Sequence, residues 1–297
     1  MTQRILFCLD GNVDLYNALL QHDKASKKPF LAGEMELRRF PDGESYVRVL
    51  TQVVGADVFI LCSLAPADSL IMPLILLSEV LREMGVRHIT LLAPYLGYMR
   101  QDKQFKSGEA VSSRHFAKLL SNYIDQLITI DPHLHRYNSL DEIYLIPSIV
   151  LHAAPLISAW IKQNVEKPIL IGPDSESEQW VKAVADAADA PFMVLEKMRH
   201  GDRHVSISAP DTTLLEGRVP VLVDDIISSG HTMMETVAHL RHAGALPPVC
   251  IGVHGIFAER ADEKMLAAGV GQLVTTNALA HKSNKIDVSG LLISSLG

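Results

Sequence analysis

Val221-Leu222-Val223-Asp224-Asp225-Ile226-Ile227-Ser228-Ser229-Gly230-His231-Thr232 reads as a buried strand, two carboxylates, a turn of small residues and the start of a helix. The apolar, β-branched run behind Pro220 fits a central strand of a parallel sheet. Thr232, Met233, Val237 and Leu240 recur at helical spacing and predict a helix opening at Thr232. The turn therefore lies at the carboxyl end of a strand, which in an open α/β sheet is where ligands bind.

Ser228, Ser229, Gly230 and Thr232 offer hydroxyls and open backbone N–H groups at a helix N-terminus, whose positive dipole end favours a phosphate. Asp224 and Asp225 cannot hold a phosphate themselves. As ionised acceptors they suit the paired 2- and 3-hydroxyls of a ribose, with any Mg2+ nearby offsetting their charge. An N-capping loop is the plain alternative, but a cap needs one such residue. Asp224, Asp225, Ser228, Ser229 and Thr232 together describe a site for a ribose 5-phosphate.

The chain has 297 residues, enough for one large or two medium domains, and its 48% apolar and 21% charged content is that of a globular protein. No run approaches the ~20 apolar residues of a membrane span, and Met1 to Asp10 lacks a signal-peptide layout, so a cytoplasmic protein without a membrane partner is expected. Cys8, Cys62 and Cys250 lie far apart in apolar runs and read as buried thiols. A net charge of −7 argues against broad nucleic-acid binding while leaving room for a local cationic pocket.

A strand at Val58–Cys62, a helix striped by Leu70, Leu74, Leu77, Leu81 and Met84, a stop at Gly85 and a strand at His88–Leu92 make a βαβ unit. The rhythm recurs at Thr232–Leu240, Gly244 and Val249–Val253. Two similar doubly wound α/β domains are expected, with mostly parallel sheets flanked by helices. They are placed at 1–147 and 148–297, because a strand and a helix at Leu151–Gln163 open a second series. The loop of the first half, Ser63–Ser69, lacks the paired acids.

Five further segments carry polar residues suited to a ligand. Pro41-Asp42-Gly43 is turn chemistry, so Arg38 to Val49 reads as a hairpin with charged edges. Arg100-Gln101-Asp102-Lys103 is a dense set of donors and acceptors just past a strand. His133 and His135 follow the strand Leu127–Ile130 on one face of extended chain, though two histidines without a third strong ligand are a weak zinc signal. Asp174 is the carboxylate that ends the strand Ile169–Asp174, and Lys197 and Arg199 lie on a glycine-containing loop that reads equally as a solvated hairpin.

In these segments and their order the chain resembles the ribose-phosphate pyrophosphokinase (PRPP synthetase) family, of the type I phosphoribosyltransferase fold, over essentially its full length. The resemblance implies transfer of the diphosphoryl group of MgATP to the 1-hydroxyl of ribose 5-phosphate, giving PRPP and AMP. ATP would belong to the N-terminal domain and ribose 5-phosphate to the C-terminal one. It implies that Phe40 stacks on adenine while Asp42 and Glu44 contact the base in a neighbouring subunit of a homo-oligomer. Arg100 would meet phosphate oxygens and Gln101 the nucleotide, with Asp102 and Lys103 completing the pocket. His133 would act on the Mg2+–ATP complex, and Asp174 on the ribose phosphate or its metal. Lys197 and Arg199 match a mobile catalytic loop whose closure excludes water. Asp224, Asp225, Ser228, Ser229, Gly230, His231 and Thr232 match the ribose 5-phosphate loop.

Three departures accompany the match. Ser175-Glu176-Ser177-Glu178 stands where relatives usually show a glycine, His231 replaces the second glycine of the usual Gly-Gly-Thr, and Ser228 stands where many relatives have Asp. A phosphoribosyltransferase consuming PRPP would need the same central loop, but has no use for Phe40–Glu44 or Arg100 as a nucleotide site. A non-catalytic associated subunit would have lost Lys197, Arg199 and His133, which are present.

Overall fold

The computed structural model describes residues 2–172, 177–195, 197–200, 204–207 and 212–296, the side chains of 179, 197–200, 204–207 and 212 excepted. The chain begins with β1 (Arg4–Cys8), α1 (Val13–Asp23), β2 (Phe30–Ala32), a hairpin of β3 (Met35–Arg39) and β4 (Ser45–Val49), and β5 (Asp57–Leu61). It continues with α2 (Ala67–Glu83), β6 (His88–Ala93), α3 (Ser112–Leu120), β7 (Gln126–Ile130) and β8 (Ser148–Leu151). Apart from the hairpin, these strands form one parallel sheet in the order β2-β1-β5-β6-β7-β8.

The second series runs α4 (Ala154–Asn164), β9 (Pro168–Gly172), α5 (Glu178–Ala188), β10 (Phe192–Val194), a hairpin of β11 (Lys197–His200) and β12 (His204–Ile207), and α6 (Thr212–Leu215). Then come β13 (Val219–Ile227), α7 (His231–His242), β14 (Val249–Gly255), α8 (Ala261–Ala267), β15 (Gln272–Thr276), β16 (Asn284–Ile286) and α9 (Ser289–Ser294). Its sheet is also parallel, in the order β10-β9-β13-β14-β15-β16. Both sheets share one winding, with an antiparallel hairpin inserted at the same step. The duplicated doubly wound α/β architecture read from the βαβ rhythm is the one found.

The chain divides into two compact units. One is Met1–Leu151 with Ala278–Ala280 and Val288–Gly297, the other His152–Asn277 with His281–Asp287. The expected division at 147/148 falls before β8, which pairs with β7 and completes the first sheet where a new series was anticipated. The tail also returns to the first unit, where Ala278 O accepts the Ser63 hydroxyl at 2.6 Å and α9 packs on α1. No described helix is long and apolar enough to cross a membrane.

Each sheet is held by the continuous apolar runs that a parallel strand buried on both faces requires. Ile60, Leu61, Ile89, Leu91 and Leu92 are fully buried in the first unit, as are Leu170, Ile171, Val221, Leu222 and Ile251 in the second. The stripe on α2 packs as its spacing predicts: Leu74, Leu77 and Leu81 are fully buried, with Leu70 and Met84 packed against them. Burying each such leucine is worth about 1.5–3 kcal/mol. Gly85, at φ +78°, supplies the left-handed residue that ends the turn after α2. Helix α1 ends at Asp23, whose buried carboxylate accepts the Phe30 N–H at 2.7 Å and so ties the helix end to β2.

Candidate active site

In the second unit β13 runs through the two acids, where the sequence reading ended the strand before them. Asp224 is in register with Gly252, Ile226 with His254 and Ile227 with Gly255, so pairing with β14 carries the strand to Ile227. Both carboxylates turn back on the local backbone. Asp224 Oδ1 accepts the Asp225 N–H at 2.9 Å, and Asp225 Oδ1 accepts the Ile226 N–H at 2.7 Å. These bonds orient the acids at the carboxyl end of the strand before any ligand arrives.

The turn that follows leads directly into α7. Gly230 is the N-cap residue at φ +68°, a conformation that costs an L side chain about 1–2 kcal/mol. A Cβ there would also lie 2.8 Å from Met265 Sδ and 3.0 Å from Met265 Cγ, so α8 packs directly beneath the turn. The first N–H groups of α7 lack intrahelical acceptors and sit at its positive end, beside Ser228 and Ser229. His231 is exposed and reaches along the helix to Glu235, with Nε2 3.1 Å from Oε1. Its bulk therefore does not crowd the turn. The backbone behind is pinned as well, since the N–H groups of Ile256 and Phe257 both donate to Ile227 O, at 2.9 and 3.1 Å.

In the first unit the loop after β6 carries the four consecutive candidates. Arg100 and Lys103 are exposed, whereas Asp102 is only 4% exposed. Asp102 accepts both of its contacts from Arg136 Nη1, at 2.7 and 3.0 Å, and its carbonyl accepts the Tyr137 hydroxyl at 3.2 Å. Gln101 accepts the Ser112 hydroxyl at its side chain and the Ser113 N–H at its backbone, anchoring the loop to α3. The Asp102–Arg136 pair thus joins the loop after β6 to the loop after β7, which bears His133. Arg136 was not singled out from sequence, because nothing local marks a partner 34 residues away.

His133 Nδ1 and His135 Nε2 are 3.2 Å apart, with ring centroids at 3.9 Å, so the two imidazoles meet as the extended-chain reading expects. That contact engages Nδ1 of His133 and Nε2 of His135. Phe40, Asp42 and Glu44 sit at the turn of the β3–β4 hairpin, which packs on α2. The turn is closed by Phe40 N–H to Glu44 O at 2.8 Å and Gly43 N–H to Phe40 O at 2.9 Å, and Asp42 Oδ1 accepts the Glu44 N–H at 3.1 Å.

Asp174, with Ser175 and Glu176, lies outside the described residues. Lys197 and Arg199 fall on β11, opposite Ile207 and Val205, so the segment that reads either as a loop or as a hairpin is a hairpin in its backbone. Their side chains are outside the described residues. Mg2+, a hard cation that takes oxygen ligands and keeps several waters, suits a site where carboxylates such as Asp224 and Asp225 at the end of β13 would lie beside the sugar phosphate.

Residues 6–123 match the family described as the N-terminal domain of ribose phosphate pyrophosphokinase, and residues 139–289 match the phosphoribosyl transferase domain. The ribose-phosphate pyrophosphokinase of Sulfurisphaera tokodaii is 33% identical over 260 residues, covering 86% of this chain and 88% of that protein. That of Methanothermobacter thermautotrophicus is 34% identical over 259 residues, covering 87% and 89%. Among solved structures, phosphoribosylpyrophosphate synthetase from Mycobacterium smegmatis superposes with a TM-score of 0.85 at 22% identity, covering 99% of this chain and 97% of that one.

Proposed function

The chain belongs to the ribose-phosphate pyrophosphokinase family, and from that premise we propose how its own residues carry the reaction. It transfers the diphosphoryl group of MgATP to the 1-hydroxyl of ribose 5-phosphate, giving 5-phosphoribosyl 1-diphosphate and AMP. The observation that carries the assignment of parts is the end of β13, where two oriented carboxylates precede a left-handed glycine and the N-terminus of α7. Asp224 and Asp225 accept the ribose hydroxyls. Ser228, Ser229, Gly230, His231 and Thr232 cradle the 5-phosphate, His231 through its backbone.

Diphosphoryl transfer needs in-line placement and charge neutralisation more than a covalent nucleophile. The 1-hydroxyl oxygen attacks the β-phosphorus, and AMP leaves from the opposite side. His133 and Asp174 would hold Mg2+, which would supply charge neutralisation at the phosphate oxygens. Arg100 and Lys103, both exposed, bring cations to the nucleotide phosphates, and Gln101 contacts the nucleotide. Asp102 acts by holding Arg136 and the loop. Lys197 and Arg199 close over the transferring group and exclude water. Phe40 stacks on the base, and Asp42 and Glu44 contact it, in the site of a neighbouring copy within a cytoplasmic homo-oligomer.

Phosphorus NMR of the protein with MgATP and ribose 5-phosphate tests the reaction directly. Signals of AMP and a diphosphorylated sugar support it; ADP as the product, or no turnover, removes it.

A further inference from the structure

We infer that Arg38 is a second wall of the base-binding position, holding the nucleobase against Phe40; this rests on the placement of the base at Phe40 proposed above. The hairpin has two unlike faces. Met35, Val47 and Val49 pack toward the core of the first unit. The other face bears Glu36, Arg38, Phe40, Tyr46 and Arg48, alternate positions fixed by the registers Glu36↔Arg48 and Arg38↔Tyr46. These residues are turned outward: Phe40 is 40% exposed, a large aromatic surface not spent on packing.

On that face the Arg38 guanidinium sits 3.9 Å from the Tyr46 ring centroid and 4.7 Å from that of Phe40. The two rings meet edge to face at 5.8 Å, leaving a corner that the guanidinium occupies. Glu36 Oε1 accepts from Arg38 Nε at 3.2 Å, so the cation is held from behind by a carboxylate. The 4.7 Å between the guanidinium and the Phe40 centroid is too narrow for a flat ring, so Arg38, an exposed side chain, swings outward to admit a base. A planar, delocalised cation stacks on a base as it does on an aromatic ring, which a lysine ammonium cannot reproduce. Arg38 thus covers the Phe40 ring until a base enters and then stacks on the face of the base turned away from Phe40.

The test is titration of the full chain with MgATP, together with turnover at saturating MgATP. Arg38→Ala should weaken MgATP binding by about five- to twentyfold while leaving saturated turnover and ribose 5-phosphate affinity within twofold. Arg38→Lys should recover little of the loss, and Tyr46→Ala should resemble Arg38→Ala, whereas Tyr46→Phe should not. Unchanged or tighter MgATP binding in Arg38→Ala, with a clear loss in Phe40→Ala, overturns the role of Arg38 and leaves the base at Phe40. Unchanged binding in Phe40→Ala removes the placement of the base itself, and with it this inference. Full rescue by lysine would reduce Arg38 to a point charge and likewise reject the stacking role.

Discussion

Asp10 Oδ2 accepts the backbone N–H of Ser63 at 2.6 Å, which seats one of the chain's own carboxylates between the carboxyl ends of β1 and β5. Its other oxygen accepts the Asn12 N–H at 3.0 Å. The winding of the first sheet reverses here, as that of the second does between β9 and β13, so the two crevices are counterparts. In the first unit a carboxylate already holds a loop amide that a phosphate would need, and it repels another anion. Ribose 5-phosphate should accordingly bind with one equivalent per chain. Calorimetric titration showing two equivalents would mean that the crevice of the first unit is open.

The same carboxylate gives folding a pH dependence of defined sign. Burial above all pushes the Asp10 carboxyl up from its ordinary 3.8, against hydrogen bonds from Asn12 and Ser63 that pull it down. Below 3.8 the folded and unfolded chains both hold the proton. Above it the unfolded chain releases the proton while the folded chain keeps it, so stability is lost as pH rises through the folded value. Asp10→Asn does not titrate. Its unfolding free energy relative to the parent, measured in urea from about pH 3 to about pH 6, should therefore improve with rising pH. A constant difference would show that Asp10 titrates alike in both states. Cys8, pushed up to about 12 by burial and then by Asp10, should remain a thiol throughout.

Lys197→Ala should lower turnover by about a hundredfold or more, the usual cost of losing a cation that meets charge only in the transition state. The thermal unfolding midpoint should barely move, because β11 belongs to a two-stranded hairpin outside the main sheet. Unaltered turnover would remove Lys197 from the chemistry.

Asp225→Ala should weaken ribose 5-phosphate by about ten- to a hundredfold, the worth of one or two charge-assisted hydrogen bonds. MgATP affinity should stay nearly constant. Equal weakening of both ligands would contradict the assignment of this acid to the sugar.

What local pattern discloses, and what it hides, follows from sequence distance and element length. Buried parallel strands are continuous apolar runs, so Val58–Cys62 as read and Asp57–Leu61 as found differ by a single position at each end. The three-residue strands β2 and β16 are too short to show a period and went unread. Ser148–Leu151 has only intermediate burial, as an edge strand does, and so resembled the opening of a new series. The end of β13 was readable because acids, hydroxyls and glycine are contiguous there. Asp102 was not: an acid beside Arg100 and Lys103 looks solvent-facing, and only Arg136, brought in from the next loop, accounts for its burial.

Gly230 offers the sharpest separation of backbone from packing, because two independent demands fall on one atom position. Its φ of +68° disfavours any Cβ, and the position that a Cβ would take lies 2.8 Å from Met265 Sδ. Gly230→Ala should lower stability by about 1–3 kcal/mol and raise the KM for ribose 5-phosphate, since the left-handed backbone resists a Cβ and the buried Met265 side chain must shift to admit one. Adding Met265→Ala removes the clash but not the left-handed backbone, and opens a cavity of its own. The second substitution should therefore cost less in the Gly230→Ala background than in the parent, a coupling read from a double-mutant cycle on thermal unfolding. Strict additivity of the two changes would show that α8 does not support the turn, leaving the conformation of Gly230 as the whole of its requirement.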